Sequence, residues 1–229
     1  MNPLAQILIN DQKVETHFPW GSLKEKKVSA LAIMHQQESG LNLCSIREYR
    51  LEEGEELTIS YDEEYTVIII PLVNDMQLEL RRFEKLISVA GVGIFDVNQA
   101  DIMKITTHSG QAGGLYFQLF LFKGVNKYES KLDLAKLPIG EMFPMNKLLS
   151  IQHSQLWPLK LYFGTFQSKY EDILLKIKAI DKIFAYCLEG CFEVEKRLLF
   201  QGDRLLIQHL KELEVECLSE EGLIILVVL

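Results

Sequence analysis

FAYCLEGCFEVEKRLLFQGDRLLI, residues Phe184–Ile207, is the stretch whose reading decides the fold. An apolar strand closes on Glu189-Gly190, Phe192 and Val194 then alternate with Glu193 and Glu195, and Gly202-Asp203 marks the next turn. Strict alternation is the mark of a half-buried strand, and a turn after so few residues leaves no room for a helix. The pattern continues downstream. Leu213, Val215 and Cys217 alternate with Glu212, Glu214 and Glu216, and Leu223–Leu229 is an apolar run suited to a strand covered on both faces.

The first half of the chain echoes this coarsely. Val67–Ile70 is an apolar run, which Pro71 would demote to a strand end or an edge. Met76, Leu78 and Leu80 alternate with Gln77, Glu79 and Arg81, while Glu53-Gly54, Asn74-Asp75 and Gly113-Gly114 supply turns. Gly91-Val92-Gly93 reads as the turn before a strand at Ile94–Val97. Many short strands at this spacing predict a sandwich or barrel. The best helical stripe, Tyr170, Ile173, Leu174 and Ile177, fits a strand equally well. Residues 126–147 contain Pro138, Gly140 and Pro144 with little β signal, which suits an interdomain connection. The expectation is two β domains in tandem, 1–125 and 126–229.

Composition narrows the function. Hydrophobic residues make up 48% of the 229, enough for real cores. The net charge of −8 argues against nucleic acid and anionic membrane as direct partners. No basic n-region precedes the short apolar stretch Leu4–Ile9, so no signal peptide is expected, and no run is long enough to span a membrane. Cys44, Cys187, Cys191 and Cys217 are too scattered for a disulfide scaffold, which fits a reduced cytoplasmic setting. Cys187 and Cys191 resemble half a zinc site with no second pair, and burial as small hydrophobes is their plainer meaning.

Catalytic motifs are sparse. There is no Gly-x-Ser-x-Gly elbow for a serine hydrolase and no Lys-Ser/Thr after Gly93 for a phosphate loop. None of the five histidines (His17, His35, His108, His153, His209) has a partner at ligand spacing. His108 lies in a loop-like stretch, Thr106 to Gly114, placed to overhang the mouth of a barrel. Asp62, Glu63 and Glu64 are three consecutive acids, which mark an exposed turn more often than a cation site. Tyr116, Phe117, Phe120 and Phe122 read as core.

Phe184–Ile207 followed by ELEVECLSEEGLIILVVL (Glu212–Leu229) resembles the C-terminal cupin domain of the pirin family. GLYFQLFLF (Gly114–Phe122) is similar to the strand that ends the pirin N-terminal cupin, and EEYTVIIIPLV (Glu63–Val73) falls where that family carries its metal-bearing strand. THFPWG around His17 is similar to the aromatic N-terminal segment. The resemblance implies an all-β protein of two tandem cupin β-barrels. Pirins are bicupins, some of them quercetin 2,3-dioxygenases, with one metal, usually iron, held in the N-terminal barrel by three histidines and a glutamate.

Carried onto this chain, the His-x-His after Gly54 falls on Ser60 and Asp62. The His-x-Glu falls on His108 and Gly110 if THSG is the anchor, or near Met103 to Ile105 if counted back from Gln118. At best one histidine and one aspartate survive of four ligands, too few donors for iron. The resemblance thus implies a protein with no cofactor, acting by binding a small molecule or a protein partner, as monomer or homodimer. Its alternatives are a quercetinase-type dioxygenase using iron on Asp62 and His108, and a purely structural homodimer. Alternate residues of Leu57–Ile70 would line the barrel.

Overall fold

A computed structural model describes residues 4–8, 14–27, 42–81, 83–89, 91–108, 110–123, 133–136, 147–151, 160–167, 173–176, 182–210 and 212–228. Among these residues there are 21 strands and no helix, so none long and apolar enough to cross a membrane. The strands fall into two compact units. The first holds β2 (Val14–Phe18), β3 (Gly21–Lys27), β4 (Asn42–Leu51), β5 (Glu56–Ser60), β6 (Tyr65–Val73), β7 (Met76–Leu80), β8 (Phe83–Ile87), β9 (Gly91–Val97), β10 (Ile102–Thr107), β11 (Leu115–Lys123) and β12 (Asp133–Lys136). The second holds β1 (Leu4–Leu8), β13 (Lys147–Ile151), β14 (Lys160–Gln167), β15 (Ile173–Lys176), β16 (Lys182–Glu189), β17 (Cys191–Val194), β18 (Arg197–Phe200), β19 (Arg204–Gln208), β20 (Glu212–Cys217) and β21 (Glu221–Val228).

The two units share one topology. In the first, a large sheet contains β9-β6-β11-β4 and a small one β5-β10-β7-β8; in the second the orders are β19-β16-β21-β14 and β15-β20-β17-β18. Each strand corresponds to the one ten places later, and every pairing is antiparallel. Eight strands in two sheets with this crossing order form a jelly roll. The all-β expectation holds, in duplicate.

Burial explains why these segments extend. β5 alternates exposed and buried, with Leu57 and Ile59 inward, and β20 does the same with Leu213, Val215 and Cys217. β6, β16, β19 and β21 lie inside the large sheets and are buried on both faces, hence their nearly unbroken apolar runs. One core forms between the sheets of each unit, around Tyr49, Ile69 and Phe117 in the first and Phe192, Ile207 and Leu226 in the second. Each such side chain contributes about 1.5–3 kcal/mol on leaving water.

Several expectations are corrected. Pro71 ends neither β6 nor places it at an edge. β9 pairs only with Tyr65–Ile69, so the proline's missing N–H falls beyond that ladder, and a register shift in β11 between Tyr116 and Phe117 lies opposite it. Gly91 opens β9 itself, its N–H donating to the Ser88 carbonyl at 2.7 Å, so the turn lies before Gly91 and Ile94 is inside the strand. Ile173 and Leu174 lie in a strand, while Tyr170 and Ile177 fall outside the described residues. Within 126–147, Asp133–Lys136 is the strand β12, paired to β9; most of the remainder lies outside the described residues.

The strands also ignore a single cut near residue 125. β1, from the start of the chain, pairs with β19 of the second unit. β12, beyond residue 125, pairs with β9 of the first. The two additions occupy the same topological edge, since β9 and β19 correspond.

Candidate functional site

The ligand positions carried over from the resemblance do not converge. Ser60 ends β5 with its side chain exposed, and Asp62 is exposed in the following turn. Their neighbours Ile59 and Tyr61 are the ones buried in the first core. A shift of one residue along a strand turns every side chain to the other face, and spacing from Gly54 lands on the outer one. His108 lies at the opposite end of the small sheet. Ser60 pairs with Ile102, whereas His108 follows the far end of β10, six residues on and roughly 20 Å away at about 3.4 Å per residue. Gly110 is exposed with φ 89°. The other anchoring fares better geometrically, because Met103 and Ile105 do face the core.

His108 and Gly110 belong to a stapled loop. The His108 N–H donates to the Asp75 carbonyl at 2.9 Å, and Gln111 Oε1 accepts from the Asp75 N–H at 2.7 Å. Asn74 Nδ2 donates to the carbonyls of Ala112, Gly113 and Gly114 at 3.0–3.3 Å. Asn74 itself has φ 64°, a conformation asparagine tolerates better than most residues.

The volume where the resemblance places a metal is therefore lined by Ile59 and Tyr61 of the β5 segment and by Met103 and Ile105 of β10. Tyr61 is 4% exposed. Its hydroxyl points to Met103 Sδ at 3.8 Å, and its backbone pairs with Asp101 and Ala100. Burial pushes its phenol far above the ordinary value, with the Tyr49 ring a lesser cause. A neutral phenol and a thioether do not make an iron site, which needs imidazole or carboxylate donors. Among the described residues no three His, Cys, Asp or Glu side chains gather into a metal-holding group. The residues present do not fit the iron of a quercetinase.

Both ends of this core are closed by aromatic rings. At one end Tyr65 lies 6.1 Å from Tyr61, its hydroxyl donating to Glu63 Oε2 at 3.1 Å. Burial first, then that hydrogen bond, push the Tyr65 phenol up to about 12. Lys123 pairs with Glu63 and sits over the Tyr65 ring, so the acid run Asp62–Glu64 is the exposed turn expected. At the other end Phe18, Trp20, Tyr49 and Phe117 form a continuous ring column, Phe18 on Trp20 at 4.7 Å and Tyr49 on Phe117 at 4.9 Å. The segment around His17 is thus a packing element through Trp20, while His17 itself is exposed on β2. Gly21 lets it turn inward: φ is 137°, and a Cβ there would lie 1.8 Å from the Arg50 carbonyl oxygen.

Elsewhere the plainer readings hold for Cys187 and the three phenylalanines, whereas Cys191 and Tyr116 are only half-buried. Cys187 is buried with its Sγ 3.5 Å from the Gly190 carbonyl. Burial, then the neighbouring Cys191 thiol, the Asp203 carboxylate and the Cys217 thiol, push it up to about 12, the direction that keeps a thiol protonated. Phe117, Phe120 and Phe122 are buried. His35 and His153 lie outside the described residues, and His209 follows β19 half-buried. Tyr61 is the residue that motif spacing missed, although the apolar phase Leu57, Ile59, Tyr61 already marked the inner face; Met103 lies in the stretch reached by counting back from Gln118.

No family model matches the chain, and no curated protein matches it by sequence. Solved structures do. The bacterial pirin YhhW from Escherichia coli, in complex with nickel(II), aligns over 98% of both chains with a TM-score of 0.74 at 10% identity. A quercetin 2,3-dioxygenase from Acinetobacter baumannii aligns over 97% of this chain and 85% of its own, with a TM-score of 0.66 at 10% identity. YhaK from Escherichia coli gives 0.70 over 95% and 93%, again at 10% identity. Likeness at this identity speaks for architecture. With two jelly rolls of one topology and near-complete alignment to these proteins, the chain has the pirin-like bicupin fold.

Proposed function

We propose that this chain is a metal-independent bicupin of pirin type that works in the cytoplasm by binding, with a protein as its partner. The observation that carries this reading is the inner lining of β5 and β10. Ile59, Tyr61, Met103 and Ile105 fill with buried side chains the volume where the resemblance puts a metal. A substrate entering the first core would have to displace the Tyr61–Met103 contact and break ring packing at either end. A reaction at metal-bound oxygen has no imidazole or carboxylate there to support it. Fold alone does not transmit the dioxygenase activity named for one of the similar structures.

Elemental analysis of protein purified without an affinity tag tests the reading, before and after incubation with iron, nickel, manganese and copper. Expected is trace metal removed by dialysis, with no oxygen uptake in the presence of quercetin. Iron or nickel near one equivalent, retained through dialysis, would overturn it.

A further inference from the structure

The outward face of the small sheet differs sharply between the two units despite their common topology. In the first unit β10 sets Lys104 directly opposite Glu79 of β7, a complementary pair. At the corresponding place in the second, β20 sets Glu216 directly opposite Glu193 of β17. Both glutamates are half-buried, and like charges in direct cross-strand register destabilise a sheet. Glu214 and Glu195 extend the same field, and the Glu214 backbone holds the Glu195 carboxylate there. The Glu195 N–H donates to the Glu214 carbonyl at 3.1 Å, and Glu195 Oε1 accepts from the Glu214 N–H at 2.8 Å. These four acids, with Lys196 and Val215, line a depression of about 130 Å³.

An apolar pair borders the depression. On β18, at the edge of the small sheet, Leu199 enters the core while Leu198 and Phe200 point outward, 50% and 59% exposed. Register puts Leu198 beside Glu193 and Phe200 beside Cys191. Neither side chain serves the core, and among the residues lining the depression Lys196 is the single cation.

We propose that this face docks a basic segment of another protein. An arginine or lysine of the partner enters between Glu193 and Glu216, and an apolar residue of the same segment covers Leu198 and Phe200. Charge complementarity selects this occupant. Four carboxylates against one lysine attract a cationic chain, and a guanidinium can bond two carboxylates at once. A second copy in isologous contact would set the same acids against each other, and nucleic acid would be repelled. The surface lies in the second unit and does not depend on what the first core holds.

The test is fluorescence anisotropy with a labelled peptide of alternating arginine and leucine, beside a version with glutamate for arginine. Wild type should bind only the arginine peptide, more weakly as salt rises. The double variant Glu193→Gln, Glu216→Gln and the single variant Phe200→Ser should each lose about tenfold or more in affinity, the scale of a central interface residue. Glu79→Gln in the first unit should bind as wild type does. Thermal unfolding of the double variant, expected at or above the wild-type temperature, certifies that it is folded. Equal binding by all variants, or no binding by wild type, overturns the proposal. So does saturable calcium or magnesium binding by calorimetry that the double variant loses, which would make the depression a cation site.

Discussion

Moving a His-x-His pair by one residue along the β5 segment separates the inner and outer faces of the first unit. Placed at Ser60 and Asp62, as spacing from Gly54 suggests, two imidazoles replace exposed side chains, and stability should change by no more than about 0.5 kcal/mol. Placed at Ile59 and Tyr61, the same imidazoles enter the core. Removing the buried Ile59 side chain costs about 1.5–3 kcal/mol of transfer free energy. Each imidazole left without a partner inside adds about 1–3 kcal/mol, and the Tyr61 hydroxyl contact with Met103 is lost as well. With partial relaxation, roughly 5 kcal/mol for the pair is a fair expectation, comparable to the whole stability of a marginal domain. Equilibrium urea unfolding, followed by circular dichroism, reads the difference directly. At an m-value of about 2 kcal/mol/M the midpoint for the first unit should fall by roughly 2.5 M in the inner variant and hardly move in the outer one. Equal losses in the two variants, or a nickel-dependent rise in stability confined to the Ser60/Asp62 pair, would refute the face assignment.

Three further outcomes are expected. Arg81 pairs with Asp101, whose carboxyl burial alone would raise; the Arg81 guanidinium and the Asn98 N–H outweigh burial and hold it below 3.8. That stabilisation is present above 3.8 and lost as pH falls through the lowered folded-state value. The gap between wild type and Arg81→Ala should therefore be about 0.5–1 kcal/mol at pH 7 and close in acid, as thermal melts at several pH values will show. Gly222→Ala should cost about 1–3 kcal/mol in urea unfolding, because the new methyl would lie 2.7 Å from Phe192 Cζ and 2.8 Å from Cys217 Sγ. Asn74→Ala removes the staple of the loop at residues 110–114; hydrogen exchange there should quicken several-fold while the exchange of β11 stays unchanged.

Fold class was legible because short-range alternation is a local signal. Met76–Leu80 and Glu212–Cys217 each show their inner face in five or six residues. Strand register and long-range partners are not local, and there the reading failed: nothing in LAQIL indicates that it pairs with residues 204–208. The four residues Asp133–Lys136 were hidden for a related reason, being too few to establish a period. At the candidate site two signals in the sequence conflict. Distance from Gly54 selected Ser60 and Asp62, while the apolar phase of Leu57, Ile59 and Tyr61 placed those two residues outside. Phase is enforced by the burial of every second side chain, whereas motif spacing binds only while its ligands remain, so phase was the better guide.

The reciprocal placement of β1 and β12 bears on how the protein is made and how it survives cleavage. Strand β1 emerges from the ribosome well before the rest of its unit, and its partner β19 follows some two hundred residues later. Until then it is an unpaired strand in need of protection, and this closure is among the slowest contacts to form. A cut near residue 125 gives an N-terminal piece carrying a strand the other needs, and a C-terminal piece carrying β12, which the first needs. Each fragment alone exposes a bare sheet edge and aggregates. Mixed, they can each supply the other's missing edge strand, so a nicked chain is expected to stay associated and a split pair to reassemble.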